Sequence, residues 1–322
     1  MKAAVVKERN GSPVYADFDE PVARADQEVV ELVAAGVHPL VRALASGRHY
    51  GSGGAWPLVP GVDAVARTAT GGLVYTGYVE APFGTFAERM AVPAGLSIPL
   101  PAEVDAAQVA AGLNPGLSSW LPLRHRVAAV NSLGTVVVLG VTGMAGALAV
   151  QNARLLGATR VVGVGRNPAG LTRAEQLGAE TVALTGDRAQ DAQSLAEVLG
   201  GQAPSVVLDF VWGGVAETAF EALSRRGLHD DAGDIAYVEI GAGGGPEARV
   251  PGALLRSRRI TISGSGAGST PIAVMRKEIP TYLGHIVDGA IEVPAQAFPL
   301  SDIGAAWEAA ASGGPRPVVV PG

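Results

Sequence analysis

Cysteine is absent from the 322 residues. That removes disulfides, cysteine nucleophiles and every thiolate metal site at once. Charge is sparse: Asp, Glu, Lys and Arg make up 17% and the net charge is −6, so no basic surplus argues for nucleic acid. Long apolar runs are missing too. The segment between Arg126 and Arg154 carries no charge, yet Asn131, Ser132, Thr135, Thr142, Gln151 and four glycines break it up. A spanning helix needs about 20 predominantly apolar residues, so no membrane span is expected. The opening MKAAVVKERNG offers only four apolar residues before Lys7, too short for a signal peptide, and the expected location is the cytoplasm. What the chain does have is apolar content, at 48%, and length enough for two globular domains.

The most informative stretch runs from Gly134 to Arg166. Thr135 to Leu139 is a β-branched apolar run, as in a strand buried on both faces. Gly140, Gly143 and Gly146 punctuate the turn that follows, and Ala147 to Leu156 is rich in helix formers before Gly157. Val161 to Val164 resumes the strand pattern. Such a βαβ unit turns backbone N–H groups and a helix N-terminus toward an anion, normally a dinucleotide pyrophosphate. Thr142, Gly143, Met144, Ala145 and Gly146 are the candidate pyrophosphate contacts.

The second strand's end discriminates between dinucleotides. An NAD site places Asp or Glu about 20 residues past the loop, on the ribose 2′-hydroxyl. Here that position is Arg166, after Gly165, and no carboxylate occurs from Val161 to Ala174. A guanidinium suits a 2′-phosphate through paired hydrogen bonds, with Asn167 assisting, so NADPH is favoured over NADH.

Before this core, short strands are expected at 2–6, 27–35, Ala64–Thr68, Leu73–Tyr78 and Thr85–Pro93, separated by Gly/Pro turns. Helices follow at Ala106–Gly112 and Leu117–Arg126, with Asn-Pro-Gly at 114–116 read as a turn. After it, strands at Thr181–Leu184, Val206–Phe210, Ile235–Ile240 and Ile260–Ser263 complete six parallel strands, the full doubly wound domain. The fold class is therefore α/β: a Rossmann doubly wound parallel sheet beside a β-rich unit. The expected boundaries are 1–124 for a catalytic domain, 125–268 for the nucleotide domain, and 269–322 returning to complete the first. Gly241 and Ala242, and Ser265, Gly266 and Ala267, follow strand ends where such a sheet binds ligand, here ribose and nicotinamide.

The segments AAGVHPLVRALASG (34–47), PLVPGVDAVA (57–66), GTFAERMAVP (84–93), GVTGMAGALAVQNARLLGA (140–158), LLRSRRITISGS (254–265) and PRPVVVPG (315–322) stand in an order and spacing that resembles the medium-chain dehydrogenase/reductase superfamily. Within it, the chain looks like the zinc-independent quinone oxidoreductase and enoyl reductase branch. The resemblance implies a GroES-like catalytic domain around the Rossmann domain, with the active cleft between them. Zinc-containing relatives hold their metal at positions that match His38, Val62 and roughly Leu113 here, and one nitrogen ligand cannot hold a zinc that needs three. No metal is expected. The branch usually has Asn where this chain has His38, and its proposed tyrosine proton donor aligns between His49 and Tyr50. Asn114 matches the family segment that faces the nicotinamide.

Without a metal, the protein must orient the substrate and stabilise charge developing on oxygen while the nicotinamide supplies hydride. Tyr50, His38 and His49 are the candidate catalytic groups. The expected activity is NADPH-dependent reduction of a quinone or of the C=C bond of an α,β-unsaturated carbonyl. Two alternatives stay open: an NADPH-binding protein with little catalysis, and a reductase dedicated to one pathway intermediate. The short-chain dehydrogenase alternative is weak, since its glycine loop normally lies near the N-terminus and no Tyr-x-x-x-Lys follows the loop here. The family also implies a homodimer, and ITISGS could pair edge to edge with its twin.

Overall fold

The computed structural model describes residues 1–225, 233–266, 268–312 and 314–322. It divides into two compact units, Met1–Asn114 with Pro280–Gly322, and Pro115–Ile279.

In chain order, the elements open with β1 (Lys2–Val5), β2 (Val14–Asp17), β3 (Gln27–Gly36), α1 (Pro39–Ala45), β4 (Asp63–Arg67), β5 (Leu73–Gly77), β6 (Arg89–Pro93), β7 (Ile98–Leu100) and α2 (Ala106–Ala129). The alternating run is β8 (Thr135–Leu139), α3 (Met144–Leu155), β9 (Arg160–Gly165), α4 (Pro168–Gln176), β10 (Glu180–Ala183), α5 (Arg188–Leu199), β11 (Val206–Asp209), α6 (Gly213–Leu223), β12 (Ile235–Glu239), α7 (Gly252–Ser257) and β13 (Ile260–Gly264). The chain closes with α8 (Ile272–Val287), β14 (Ala295–Pro299), α9 (Ile303–Ser312) and β15 (Arg316–Val320).

In the first unit, seven strands form a sheet ordered β14-β15-β3-β4-β5-β7, with β6 pairing to β3. All its pairings but that of β14 with β15 are antiparallel. Val30, Leu32, Ala64, Phe86, Met90 and Val319 fill its interior. The inward positions of β4 are not all apolar: Asp63 is 5% exposed. A carboxylate in such a place requires donors, because taking it out of water unpaired is costly.

The second unit holds the six-stranded sheet β10-β9-β8-β11-β12-β13, parallel throughout. β8 lies at the centre because its residues Val136 to Leu139 are buried on both faces. One core forms under α3 and α4, around Val136, Val138, Val150 and Leu171. The other forms under α5 and α6, around Val137, Leu195, Phe220 and Tyr237. Strand order turns back between β8 and β11, and ligands bind beyond the carboxyl ends at such a point. The Rossmann sheet and the separate β-rich unit of the sequence reading are both present.

Several local expectations need correction. The two helices expected around Asn-Pro-Gly are one, α2, with Pro115 and Pro122 inside it. Leu113, Leu117, Trp120 and Leu123 lie on one buried stripe, so packing overrides the turn signal. Ser118 Oγ donates to the Pro115 carbonyl at 2.5 Å and Ser119 Oγ to that of Gly116 at 3.2 Å, within the disturbed turns. The strand expected over 85–93 begins only at Arg89, because Thr85 Oγ1 is held on the Asp63 carbonyl at 3.0 Å. Sequence reading also passed over β2, β7, α4, α7 and β14.

Candidate functional site

The glycine loop of the second unit owes its shape to one close approach. A Cβ on Gly146 would lie 2.4 Å from the Gly140 carbonyl oxygen and 2.6 Å from the Val141 Cα, both backbone. Only glycine lets α3 start this near the end of β8. Gly143 is the N-cap and offers no side chain to the turn. The N–H groups of Met144, Ala145 and Gly146 have no acceptor among the described residues. Such a helix end presents free donors and a positive dipole to an anion. Thr142 is half-buried beside this end.

At the end of β9, Gly165 is buried and Arg166 turns outward into solvent. Among the described residues no acceptor or carboxylate engages the Arg166 side chain. Asn167 caps α4, its Oδ1 accepting from Gly170 N at 2.9 Å. Gly241 and Ala242 follow β12, and Gly241 N donates to the Asp209 carbonyl at 3.2 Å. Ser265 and Gly266 follow β13, Ser265 N donating to the Glu239 carbonyl at 2.8 Å. Ala267 lies outside the described residues. Thus the nucleotide candidates 142–146, 165–167, 241–242 and 265–266 all sit at carboxyl ends of one parallel sheet.

Two carboxyls at that crest escaped sequence reading. Asp209 ends β11, is wholly buried, and accepts from Val211 N, Trp212 N and Tyr237 Oη at 2.8, 2.8 and 2.6 Å. Burial nonetheless raises its pKa against those three donors. Burial and then the Asp209 charge raise Glu239 as well, while burial drives the Tyr237 phenol far above its ordinary range. Because the folded Asp209 pKa lies above 3.8, its protonated form stabilises the fold at low pH, and that contribution is lost as pH rises through the folded value. Asp209→Asn should flatten this part of the pH–stability curve, as read by urea unfolding from acid to neutral pH. An unchanged slope would remove Asp209 as its source. The available signal was an acid closing the apolar run VVLD.

In the first unit, His38 is the N-cap of α1, with its ring 2% exposed. Its Nε2 stands 3.7 Å from Asp63 Oδ1. Tyr75 Oη donates to Asp63 Oδ2 at 2.9 Å, and Asn114 Nδ2 to Oδ1 at 3.3 Å. Burial, then the Asp63 charge, raises the Tyr75 pKa well above the phenol range. Asn114 therefore belongs to this buried cluster. Asp63 and Tyr75 were not singled out in the sequence; an acid amid the apolar run GVDAVA was the readable sign. Tyr50 is 81% exposed and stacks on His49 at 4.1 Å. His49 Nδ1 accepts from Gly51 N at 3.1 Å, and partial burial lowers its pKa. The structure joins Tyr50 to His49, and His38 to Asn114 through Asp63.

Comparison with known proteins agrees with this geometry. Residues 143–287 match the family described as zinc-binding dehydrogenase. A protein of Emericella nidulans described as a probable NADPH-dependent quinone reductase is 26% identical, over 96% of each chain. The quinone oxidoreductase of Thermus thermophilus, solved also in complex with NADPH, is 26% identical with a TM-score of 0.79, covering 99% of this chain and 100% of its own. A mycobacterial protein solved with NADPH shares the fold at a TM-score of 0.83 and 22% identity, covering 100% of both chains. With its doubly wound sheet, glycine loop and β-rich second unit, the chain is similar in sequence and fold to quinone oxidoreductases of the medium-chain dehydrogenase/reductase kind.

Proposed function

We propose that this oxidoreductase binds NADPH and reduces a quinone or the conjugated C=C bond of an α,β-unsaturated carbonyl, without a bound metal. One observation carries the reading: the Arg166 guanidinium, at the end of β9, is exposed and engaged by no carboxylate among the described residues. A 2′-phosphate supplies the acceptors that such a fork matches. The bare N-terminus of α3 offers N–H groups to the pyrophosphate, and Gly241, Ala242, Ser265 and Gly266 border the path of the ribose and nicotinamide. Bound there, the dihydronicotinamide would supply hydride. The chain's own part is to hold the acceptor and neutralise charge on its oxygen, a task for His38, with His49 and Tyr50 as further donors.

The donor set around His38 does not fit zinc. It has one imidazole, one carboxylate and one amide, and the carboxylate already takes bonds from Tyr75 and Asn114. A catalytic zinc takes three protein ligands and an open position.

The test is turnover of purified protein with NADPH across quinones, enones and enoyl thioesters. NADPH oxidation dependent on one of these classes is expected. Tight NADPH binding with none turned over would instead support the nucleotide-binding role without catalysis.

Homodimerisation is part of the same reading. β13 forms one edge of the parallel sheet, with Thr261 and Ser263 exposed. An open edge of this kind pairs readily with a second copy. Sedimentation should give a dimer; a monomer at micromolar concentration would discard the pairing.

A further inference from the structure

Trp212, in the turn between β11 and α6, has φ 56° and ψ −158°. Glycine enters that region without strain; a tryptophan stays there only where its surroundings hold it. The hold comes from Asp209, the wholly buried acid that closes β11. Its Oδ1 accepts from Val211 N and from Trp212 N, each at 2.8 Å, and Tyr237 Oη donates to the other oxygen at 2.6 Å. The indole is seated as well, edge-on to Phe220 and Tyr237 with ring centroids 6.0 and 6.3 Å away. Strain maintained by so many bonds marks a turn whose path matters.

That path runs between two loops of the same unit. On one side, a Cβ on Gly140 would meet Val211 Cγ2 at 2.7 Å and Phe210 Cβ at 3.4 Å, so Val211 packs directly on the Gly140 backbone. The Gly140 carbonyl oxygen in turn accepts from Gly143 N at 3.2 Å and lies against Gly146, where α3 starts. On the other side, the Val211 carbonyl accepts from Gly244 N at 2.6 Å, and a Cβ on Gly244 would stand 2.7 Å from Val211 Cγ1. Val211 is wedged between the glycine loop and the loop that follows β12. Each loop leans on Val211, and Val211 is fixed by Asp209.

We propose that Asp209 is a positioning residue for the dinucleotide: by fixing Val211 and Trp212 it locks the glycine loop 140–146 to the loop 241–245 at the spacing the bound nucleotide requires. This rests on the NADPH reading above. Being wholly buried, Asp209 touches no ligand itself and acts through the backbone of the turn. Oδ1 can accept the two N–H groups whether the carboxyl is charged or protonated on the other oxygen, so the device needs the acceptor and not the charge.

Asp209→Ala removes the acceptor and should weaken NADPH and NADH alike, on the order of 10- to 100-fold. Asp209→Asn keeps an oxygen for both N–H groups and should stay within about threefold of the parent. The deciding variant joins Asp209→Ala to Trp212→Gly. Glycine adopts φ 56° unaided, so the second substitution should recover most of the lost affinity, although it gives up the indole's packing and lowers the urea midpoint. A merely structural Asp209 predicts the opposite, two destabilising changes whose losses add. In protein free of nucleotide, hydrogen exchange at the Gly143 and Gly244 amides should quicken in Asp209→Ala and slow again in the double variant. Should Asp209→Ala not fold, Asp209→Val, which fills the strand position with carbon, takes its place in both measurements. Parental affinity in the single variant, no recovery in the double one, or unmoved exchange would each overturn the assignment. If the parent binds neither nucleotide, the NADPH reading fails instead, and the exchange comparison alone decides whether Asp209 holds the two loops.

Discussion

Arg166→Ala should weaken NADPH binding on the order of 10- to 100-fold and leave NADH nearly unchanged. The reasoning starts from charge placement. Arg166 stands where a dinucleotide fold that prefers NADH keeps a carboxylate, and its side chain is engaged by no other group among the described residues. Removing it therefore breaks no ion pair within the protein, and any loss reports on the ligand. Hydrogen bonds to charged groups contribute about 1.5–3 kcal/mol, which converts to that range of Kd. Arg166→Glu should go further, because it sets a carboxylate against the phosphate while offering an acceptor to a ribose hydroxyl. The readout is quenching or nicotinamide fluorescence, titrated with both nucleotides. The gap should narrow with added salt, since the site is open to solvent. Equal losses for the two nucleotides would mean that Arg166 does not meet the 2′-phosphate.

Gly146→Ala should nearly abolish binding of both nucleotides. The added methyl carbon has backbone on two sides, at 2.4 Å from the Gly140 oxygen and 2.6 Å from the Val141 Cα. No rotamer relieves that contact, so α3 must move off the end of β8 and carry its free N–H groups with it. Overpacking of this sort costs about 1–3 kcal/mol of stability. The pyrophosphate, which depends on several of those donors at once, loses more than any single contact. Unlike Arg166→Ala, the substitution should not discriminate NADPH from NADH. Retained affinity, with unfolding unchanged in urea, would show that the loop is not the pyrophosphate site.

The legible parts of this chain were those where local pattern and fold agree. β8, the glycine loop and β9 were readable because a β-branched run, spaced glycines and a second run each carry their own signal. The six strands followed from repetition of that alternation. Helix α2 was misread because Asn-Pro-Gly is a local signal, whereas the stripe Leu113, Leu117, Trp120 and Leu123 acts only once the helix is packed. Helix α4 was missed although Asn167 and Pro168 form a readable start; only Leu171 and Ala174 of its nine residues are buried, too few apolar positions to stand out in a polar segment. The buried cluster lay beyond sequence reading for a plainer reason. His38, Asp63, Tyr75 and Asn114 come from four separate segments, and only the pairing of β4 with β5 sets Tyr75 within reach of Asp63. His38 was identified as a candidate by its chemistry; its partners required the fold.

The account is tested most directly by titrating the unmodified protein with NADPH and NADH under one set of conditions. A fully engaged 2′-phosphate should make NADPH the tighter ligand by about tenfold or more. Equal affinities, or tighter NADH, would contradict it.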